Sequence, residues 1–190
     1  MRPRRAAAMV GAMTWLRQVP WRALRLAAAL LLPPTAGAAA QDSWESPEHS
    51  ACLQRAAGAP EAALEEALAW EAAGGGPAAL HCQAVALIGS GDYARAAALL
   101  EELPNALPGD AVDGRAALLG EAGNAWILAN DMPRAVAAFD AAIALVPNAA
   151  SLRIDRALAL ALAGDYWAAI DDLNVAEDLA PDRADLLIFR

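Results

Sequence analysis

The clearest pattern along the chain is two runs of apolar residues at helical spacing, separated by the polar pair Asn130 and Asp131. Apolar residues three and four positions apart face one side of an α-helix, so each run predicts an amphipathic helix. The first run is Leu118, Leu119, Ala122, Trp126 and Ala129, and the second is Val136, Phe139, Ile143 and Val146, ended by Pro147. The pattern therefore predicts a pair of helices joined by a tight turn.

This helix pair recurs at a fixed interval along the chain. Gly123, Asp131, Ala135, Phe139, Ala142 and Pro147 recur in the same order as Ala157, Asp165, Ala169, Leu173, Ala176 and Pro181. We call the interval from Gly123 to Ala157 the repeat interval. An earlier copy, set further away because five residues are inserted within 109–115, carries Ala84, Gly91, Asp92, Tyr93, Ala96, Leu100 and Pro108. A repeat of this kind predicts stacked units that bury a continuous core between neighbours.

The turn of each copy carries an aspartate that is suited to begin the second helix. The Asp131 carboxylate is predicted to accept from the free N–H groups of the first turn. Pro133 is tolerated there, since its missing N–H would have no helical partner. Asp92 and Asp165 hold the same place in their copies and are expected to act in the same way.

These residues resemble the tetratricopeptide repeat (TPR) family over residues 77–183. The family pattern has a small and then a bulky residue in the first helix, Gly-x-Tyr at the turn, Ala and an aromatic in the second helix, and a closing Pro. The matching residues are Gly123, Trp126, Gly164-Asp165-Tyr166, Ala135, Phe139, Ala142 and Pro147. The departures are Asn130 and Met132 at the middle turn and Leu103 in the first copy.

The resemblance implies an all-α, right-handed α-solenoid of stacked antiparallel helix pairs. In this family the first helices line a concave groove that usually holds a partner peptide. The repeat frame places the interior bulk at Tyr93, Trp126, Phe139 and Tyr166, and the groove or partner-binding positions at Glu121, Asn124, Ile127, Leu128, Asp155 and Leu158. A clamp for a partner's C-terminal carboxylate is disfavoured, because Gly120, Ser151 and Asp155 stand where such a site needs Lys or Arg.

The first forty residues have the pattern of a secretory signal peptide. Six arginines precede or flank the apolar run 26–32, and Ala38-Ala39-Ala40 form a small-residue cleavage site before Gln41. The uncharged stretch 26–40 is shorter than the ~20 residues that cross a bilayer, so no stable membrane insertion is expected after cleavage. Export, most simply to the periplasm, is the expectation.

The predicted organisation extends the repeats at both ends. The segments are a signal peptide (1–40), a linker with a degenerate helix pair (41–76), TPR-like repeats (77–110, 116–149 and 150–183), an insertion (111–115) and a truncated capping helix (184–190). Leu186, Leu187 and Ile188 give this last helix an apolar side that would cover the end of the stack. Pairing of that end with a second copy is the alternative, so a homo-oligomer remains open.

Composition agrees with helices and excludes one class of partner. Apolar residues make up 58% of the chain, largely alanine, and aromatics only 5%, which argues against an all-β fold. After residue 40, eight arginines stand against 23 acids. A nucleic-acid partner is therefore not expected.

The two cysteines are interpreted as a disulfide. Cys52 and Cys82 lie in the first helices of neighbouring units, and an exported chain meets an oxidising compartment. Closing a loop of ~30 residues would stabilise the fold by roughly 3–4 kcal/mol. Free buried thiols, or a metal site with His49 and His81, are the alternatives, because His49 precedes Cys52 by one turn. Under the disulfide interpretation both histidines are ordinary surface or partly buried residues.

Catalytic constellations are not found in the sequence. The acidic pairs 65–66, 101–102 and 171–172 are adjacent in sequence, and adjacent helical residues point to different faces. No cofactor is expected and no metal site is assigned. The function expected is a non-catalytic protein-interaction scaffold of the cell envelope that binds a protein or peptide segment with apolar side chains and basic flanks. The alternatives are a periplasmic metal- or haem-handling protein and a self-assembling subunit.

Overall fold

The computed structural model describes residues 46–181, and the predicted signal peptide (1–40) and capping segment (184–190) lie outside them. Within this range the chain forms helices only. They are α1 (Pro47–Gly58), α2 (Pro60–Ala72), α3 (Gly76–Ser90), α4 (Tyr93–Glu102), a short 3-10 helix (Leu103–Ala106), α5 (Val112–Leu128), α6 (Met132–Leu145), α7 (Ala150–Ala163) and α8 (Tyr166–Leu179). None of these helices is long and apolar enough to cross a membrane.

The helices stack in chain order as four pairs. Each helix packs against the next one, and the first helices α1 and α3, and α5 and α7, also contact each other across the pairs. The inserted residues lengthen α5 at its N-terminal end, and α5 has 17 residues where α7 has 14. This all-α, right-handed solenoid of antiparallel helix pairs confirms the predicted fold class.

The turns of the three complete pairs share one backbone feature. A residue with positive φ follows each first helix: Gly91 (85°), Asn130 (60°) and Gly164 (88°). Glycine adopts this left-handed conformation without a Cβ clash, and asparagine is among the side chains that tolerate it best. The asparagine that departs from the family pattern therefore still makes the same turn.

Two of the three predicted aspartate caps are present. The Asp131 and Asp165 carboxylates each accept a backbone N–H, from Arg134 and Ala168, at 3.2 Å. The expectation for Asp92 is wrong: its side chain makes no cap hydrogen bond and instead pairs with Arg95, at 2.9 Å. The same sequence position therefore caps its helix in two copies and leaves it uncapped in the first.

Small and large side chains interlock in the middle pair. A Cβ on Gly123 would lie 2.6 Å from the ring of Phe139, so only glycine lets α6 approach α5 this closely. Phe139 is completely buried and Trp126 is 2% exposed. The indole N–H of Trp126 donates to Glu101 on α4 at 2.8 Å, which satisfies its polar atom and ties this pair to the preceding one.

An ion-pair cluster joins the last two pairs. The guanidinium of Arg156 on α7 donates to both oxygens of Asp172 on α8, at 2.7 and 2.5 Å, and also to Asp140 on α6. Asp172 is only 4% exposed. Its hydrogen bonds raise the pKa of Arg156 well above the ordinary value, so the arginine remains charged and the buried carboxylate keeps its partner.

Candidate functional site

A line of polar side chains crosses the first helices of three successive pairs. The rings of His49 (α1) and His81 (α3) meet with Nε2 and Nδ1 3.0 Å apart, and Nε2 of His81 lies 2.8 Å from Oε2 of Glu121 (α5). We call His49, His81 and Glu121 the polar line. It connects α3 to α5 at the place where the insertion lengthens the repeat interval.

The hydrogen bonds of the polar line assign the ring tautomers. A carboxylate oxygen only accepts, so His81 donates its Nε2–H to Glu121. With both rings neutral, Nδ1 of His81 accepts the Nε2–H of His49. The N–H groups of the line therefore all point towards Glu121, whose side chain is 45% exposed.

Both histidines are buried, at 6% and 7% exposure, so the expectation that they are ordinary surface or partly buried residues is wrong. Burial is compatible with their polarity because each ring nitrogen at the contact has a partner. Their separation along the chain does not equal the repeat interval. Their one sequence clue is that His49 precedes Cys52 by one turn and His81 adjoins Cys82.

The geometry of the polar line does not fit a metal ion. His81 turns opposite ring nitrogens towards its two partners, so the three side chains form a chain and share no common centre. Among residues 46–181, no group of three or more His, Cys, Asp or Glu side chains could hold a metal.

The two cysteines form a disulfide that also joins α1 to α3. The Cα atoms of Cys52 and Cys82 are 6.0 Å apart, within the range that a disulfide spans without backbone movement. Cys52 lies one helical turn from His49. Helices α1 and α3 are therefore joined in the same region by the disulfide and by the hydrogen bond between the two histidine rings.

Beyond the polar line, the first helices carry a stripe of exposed side chains at equivalent positions. Asn124 and Leu158 are one repeat interval apart and both exposed, as are Leu128 and Leu162. The three leucines are 54% (Leu128), 37% (Leu158) and 55% (Leu162) exposed. We call these four residues the first-helix stripe. Of the other predicted groove positions, Ile127 and Asp155 are partly exposed.

The predicted interior aromatic residues occupy different environments. Trp126 and Phe139 lie in the core, and Tyr93 is half-buried. The prediction that Tyr166 lies in the interior is wrong, because this residue is 66% exposed. The equivalent residue Met132 is half-buried on α6, which packs against α7, whereas no later helix among residues 46–181 packs on α7 and α8.

At the end of the stack formed by residues 46–181, an apolar groove lies between α7 and α8. Its volume is about 300 Å³. It is lined by Ile154, Ala157, Leu158, Ala161, Tyr166, Ala169, Ile170 and Leu173. We call it the end groove. Leu158 belongs both to the end groove and to the first-helix stripe, so the two surfaces are continuous.

Comparisons with known proteins agree with this architecture. A tetratricopeptide repeat family model matches residues 123–190. The solved structure of the ArsTM double mutant of MamA RS-1 aligns with a TM-score of 0.61 and 22% identity, over 80% of this chain and 81% of that one. MamA from Desulfovibrio magneticus RS-1, residue 41 to its end, aligns over 79% and 99% with 18% identity and a TM-score of 0.33.

No curated protein matches the chain. The family model, the recurring copies with their closing prolines and the stacked helix pairs lead to one assignment. Residues 123–190 match the tetratricopeptide repeat family, and the described helix pairs before them have the same stacked architecture.

Proposed function

We propose that the protein is a non-catalytic protein-interaction scaffold whose first-helix stripe binds a partner segment with apolar side chains and basic flanks. The observation that carries this proposal is the repeated exposure of the same two positions in successive units, three of the four side chains being leucine. Apolar surface that repeats in register is the kind of face on which an extended or helical segment docks.

Residues that serve only to pack the stack are buried, in contrast to the exposed leucines of the first-helix stripe. Ala122, Ala125 and Trp126, on the same helix as Leu128, are all 2% exposed or less. Leu128 and Leu162 could be polar without loss of core packing, and keeping leucine there leaves apolar area in water. Burial of that area against a partner would return about 25 cal/mol per Å².

The charge of the described residues favours basic flanks on the partner. Residues 46–181 contain six arginines and nineteen acids. Five of the arginines are in ion pairs within the chain: Arg55, Arg95, Arg134, Arg153 and Arg156. An acidic field of this kind speeds the approach of a basic segment, while apolar contact holds it after docking.

Enzymatic activity is not part of the proposal. The polar line is the one buried histidine cluster among the described residues. The thiols nearest to it, Cys52 and Cys82, are bonded to each other and do not serve as nucleophiles in that state. The repeat family is generally non-catalytic, and no cofactor is proposed.

We also propose that the protein works in the cell envelope after export. The signal-peptide pattern of residues 1–40 and the disulfide both suit an oxidising compartment. The intact mass of envelope-fractionated protein should begin within a few residues of Gln41. Recovery of the uncleaved chain in a membrane fraction would contradict export as a mature protein.

The partner surface is tested with two synthetic peptides that share one apolar sequence and carry either Lys or Glu at both ends. We expect the Lys-flanked peptide to bind at least tenfold more tightly. Leu128→Asp with Leu162→Asp should abolish that binding. Leu68→Asp, at a leucine 49% exposed on α2, is the matched control and should leave it unchanged.

A kinetic measurement separates charge from apolar contact. Glu121→Arg with Asp155→Arg should slow association of the Lys-flanked peptide and change its dissociation much less. Equal binding of the two peptides, or an unchanged affinity in the Leu128→Asp, Leu162→Asp variant, would overturn the proposed surface.

A further inference from the structure

A second cavity lies beside the disulfide, between α1 and α2. Its volume is about 270 Å³. It is lined by Glu48, Ala51, Cys52, Arg55, Glu66 and Trp70. We call it the disulfide cavity. Its lining residues other than Cys52 and Trp70 are exposed, so the cavity is open to solvent.

The two cysteines of the disulfide differ in their access to this cavity. Cys52 lines it and is 7% exposed, whereas Cys82 on α3 is completely buried. Helix α3 packs against both α1 and α2, but the residues that line the cavity come from α1 and α2. A molecule in the cavity therefore reaches Cys52 from a side that α3 does not occupy, and Cys82 lies behind Cys52.

This arrangement matches the requirements of thiol–disulfide exchange. A thiolate attacks one sulfur of a disulfide, and the other sulfur leaves as a thiolate. Access decides which of the two sulfurs is attacked. The attacking thiolate approaches from the side opposite the leaving sulfur, so the disulfide cavity provides an approach to Cys52 and none to Cys82.

We propose that the disulfide cavity is an exchange site for small thiols, at which an external thiolate attacks Sγ of Cys52. A bond forms between the external sulfur and Sγ of Cys52, the bond between the two cysteines breaks, and Cys82 leaves as a thiolate that takes up one proton. The external sulfur is oxidised to a mixed disulfide on Cys52, and Cys82 is reduced to a thiol. The reverse reaction passes through the same mixed disulfide, so Cys52 is the exchanging cysteine in both directions.

The charges and the apolar wall of the cavity define the class of thiol. Arg55 and Glu66 form an ion pair with each other, so the carboxylate of Glu48 is the excess charge of the lining. Trp70 supplies an apolar wall, and Gly75 packs so tightly against it that a Cβ there would lie 2.6 Å from the indole. Small thiols with a positive charge should therefore react faster than anionic ones.

The parent chain with its disulfide intact provides the first test. After a brief reaction with 2-mercaptoethylamine, acid quenching and alkylation of free thiols, peptide masses show which cysteine was attacked. We expect a mixed disulfide on Cys52 with alkylated Cys82 in at least tenfold excess over the opposite arrangement. Equal amounts of the two products, or an excess on Cys82, would overturn the proposal.

Two single-cysteine variants provide a matched comparison, because Cys82→Ser and Cys52→Ser remove the same disulfide. The remaining Cys52 should react with a cationic methanethiosulfonate at least tenfold faster than the remaining Cys82. Equal rates in folded variants would contradict an exchange site at Cys52. Rates measured in denaturant identify a variant that does not fold, and the masses from the parent chain then decide.

Filling the cavity tests whether it is the route to Cys52. In the Cys82→Ser protein, Ala51→Trp should slow the reaction of Cys52 at least fivefold. Ala57→Trp changes an exposed alanine of α1 outside the cavity, so it is the matched control and should stay within twofold. Equal rates in the two tryptophan variants would show that thiols reach Cys52 by another path and would overturn the cavity as the site.

The charge preference is measured in the same protein with a cationic and an anionic methanethiosulfonate, each rate being divided by that of free cysteine. The cationic reagent should be favoured at least threefold, and Glu48→Gln should reduce this ratio at least twofold. Glu102→Gln, at an exposed carboxylate on α4, is the control and should leave the ratio unchanged because solvent screens distant charges. A ratio that Glu48→Gln does not change would refute the proposed class of thiol.

Discussion

The first three helices and the described helices that follow them are held together in different ways. Of the five largest completely buried side chains, Phe139, Leu100, Leu103 and Leu118 lie between residues 100 and 139, and only Cys82 comes from α1–α3. The core of α1–α3 consists mostly of alanines, such as Ala56, Ala63 and Ala86. In that region the disulfide and the histidine pair connect the helices.

The comparison teaches where a repeat needs additional links. In α5–α6 a bulky ring against a glycine fills the space between the helices. In α1–α3 the pattern is degenerate, so small side chains bury little area per residue and contribute little hydrophobic stabilisation. A covalent link, which restricts the unfolded chain, stabilises such a region independently of core volume.

The largest expected effect comes from the core of the middle pair. Phe139→Ala removes a fully buried ring packed on Gly123 and should lower the free energy of unfolding by about 3–5 kcal/mol. Chemical denaturation measures this loss. Trp167→Ala, at an indole 81% exposed, is the control and should stay within about 0.5 kcal/mol. A Phe139→Ala protein that unfolds with the parent would invalidate the repeat frame.

Removal of the disulfide tests the other region. Cys52→Ala with Cys82→Ala should cost about 3–4 kcal/mol, expressed as faster hydrogen exchange in α1–α3 and little change in α7–α8. The reason is that units of a solenoid interact chiefly with their neighbours. If α7 and α8 lose protection as much as α1 and α3 do, the two regions form one cooperative unit and the contrast between them disappears.

The smallest effect compares two aspartates at equivalent turns. Both form an ion pair with the arginine three residues later, Asp92 with Arg95 and Asp131 with Arg134, but only Asp131 caps its helix. Asp131→Ala should therefore cost about 1 kcal/mol, and Asp92→Ala less than about 0.5 kcal/mol. Thermal denaturation of the two variants side by side measures the difference. Equal losses would show that the cap contributes nothing beyond the ion pair.

Sequence reasoning succeeded where a feature depends on neighbours along the chain. The helix pairs, the turn at Asn130 and the caps at Asp131 and Asp165 all follow from periodicity and from side chains within four residues of their targets. The failures have a different origin. Asp92 also pairs with the arginine three residues later, but it does not cap its helix, and the orientation of a carboxylate at the turn is not encoded in the repeat pattern.

By itself, the sequence determined the fold class, the repeat length and the cysteine pair in neighbouring first helices, because these depend on periodic burial and on residue spacing. Only the tertiary structure decided that His49 and His81 meet, and that Tyr166 lies in water. Contacts between helices depend on the rotation and spacing of stacked units, to which the inserted residues before α5 contribute. Exposure at the end of a stack depends on what packs there. Neither quantity is local in the chain, so neither can be obtained from the pattern of one repeat.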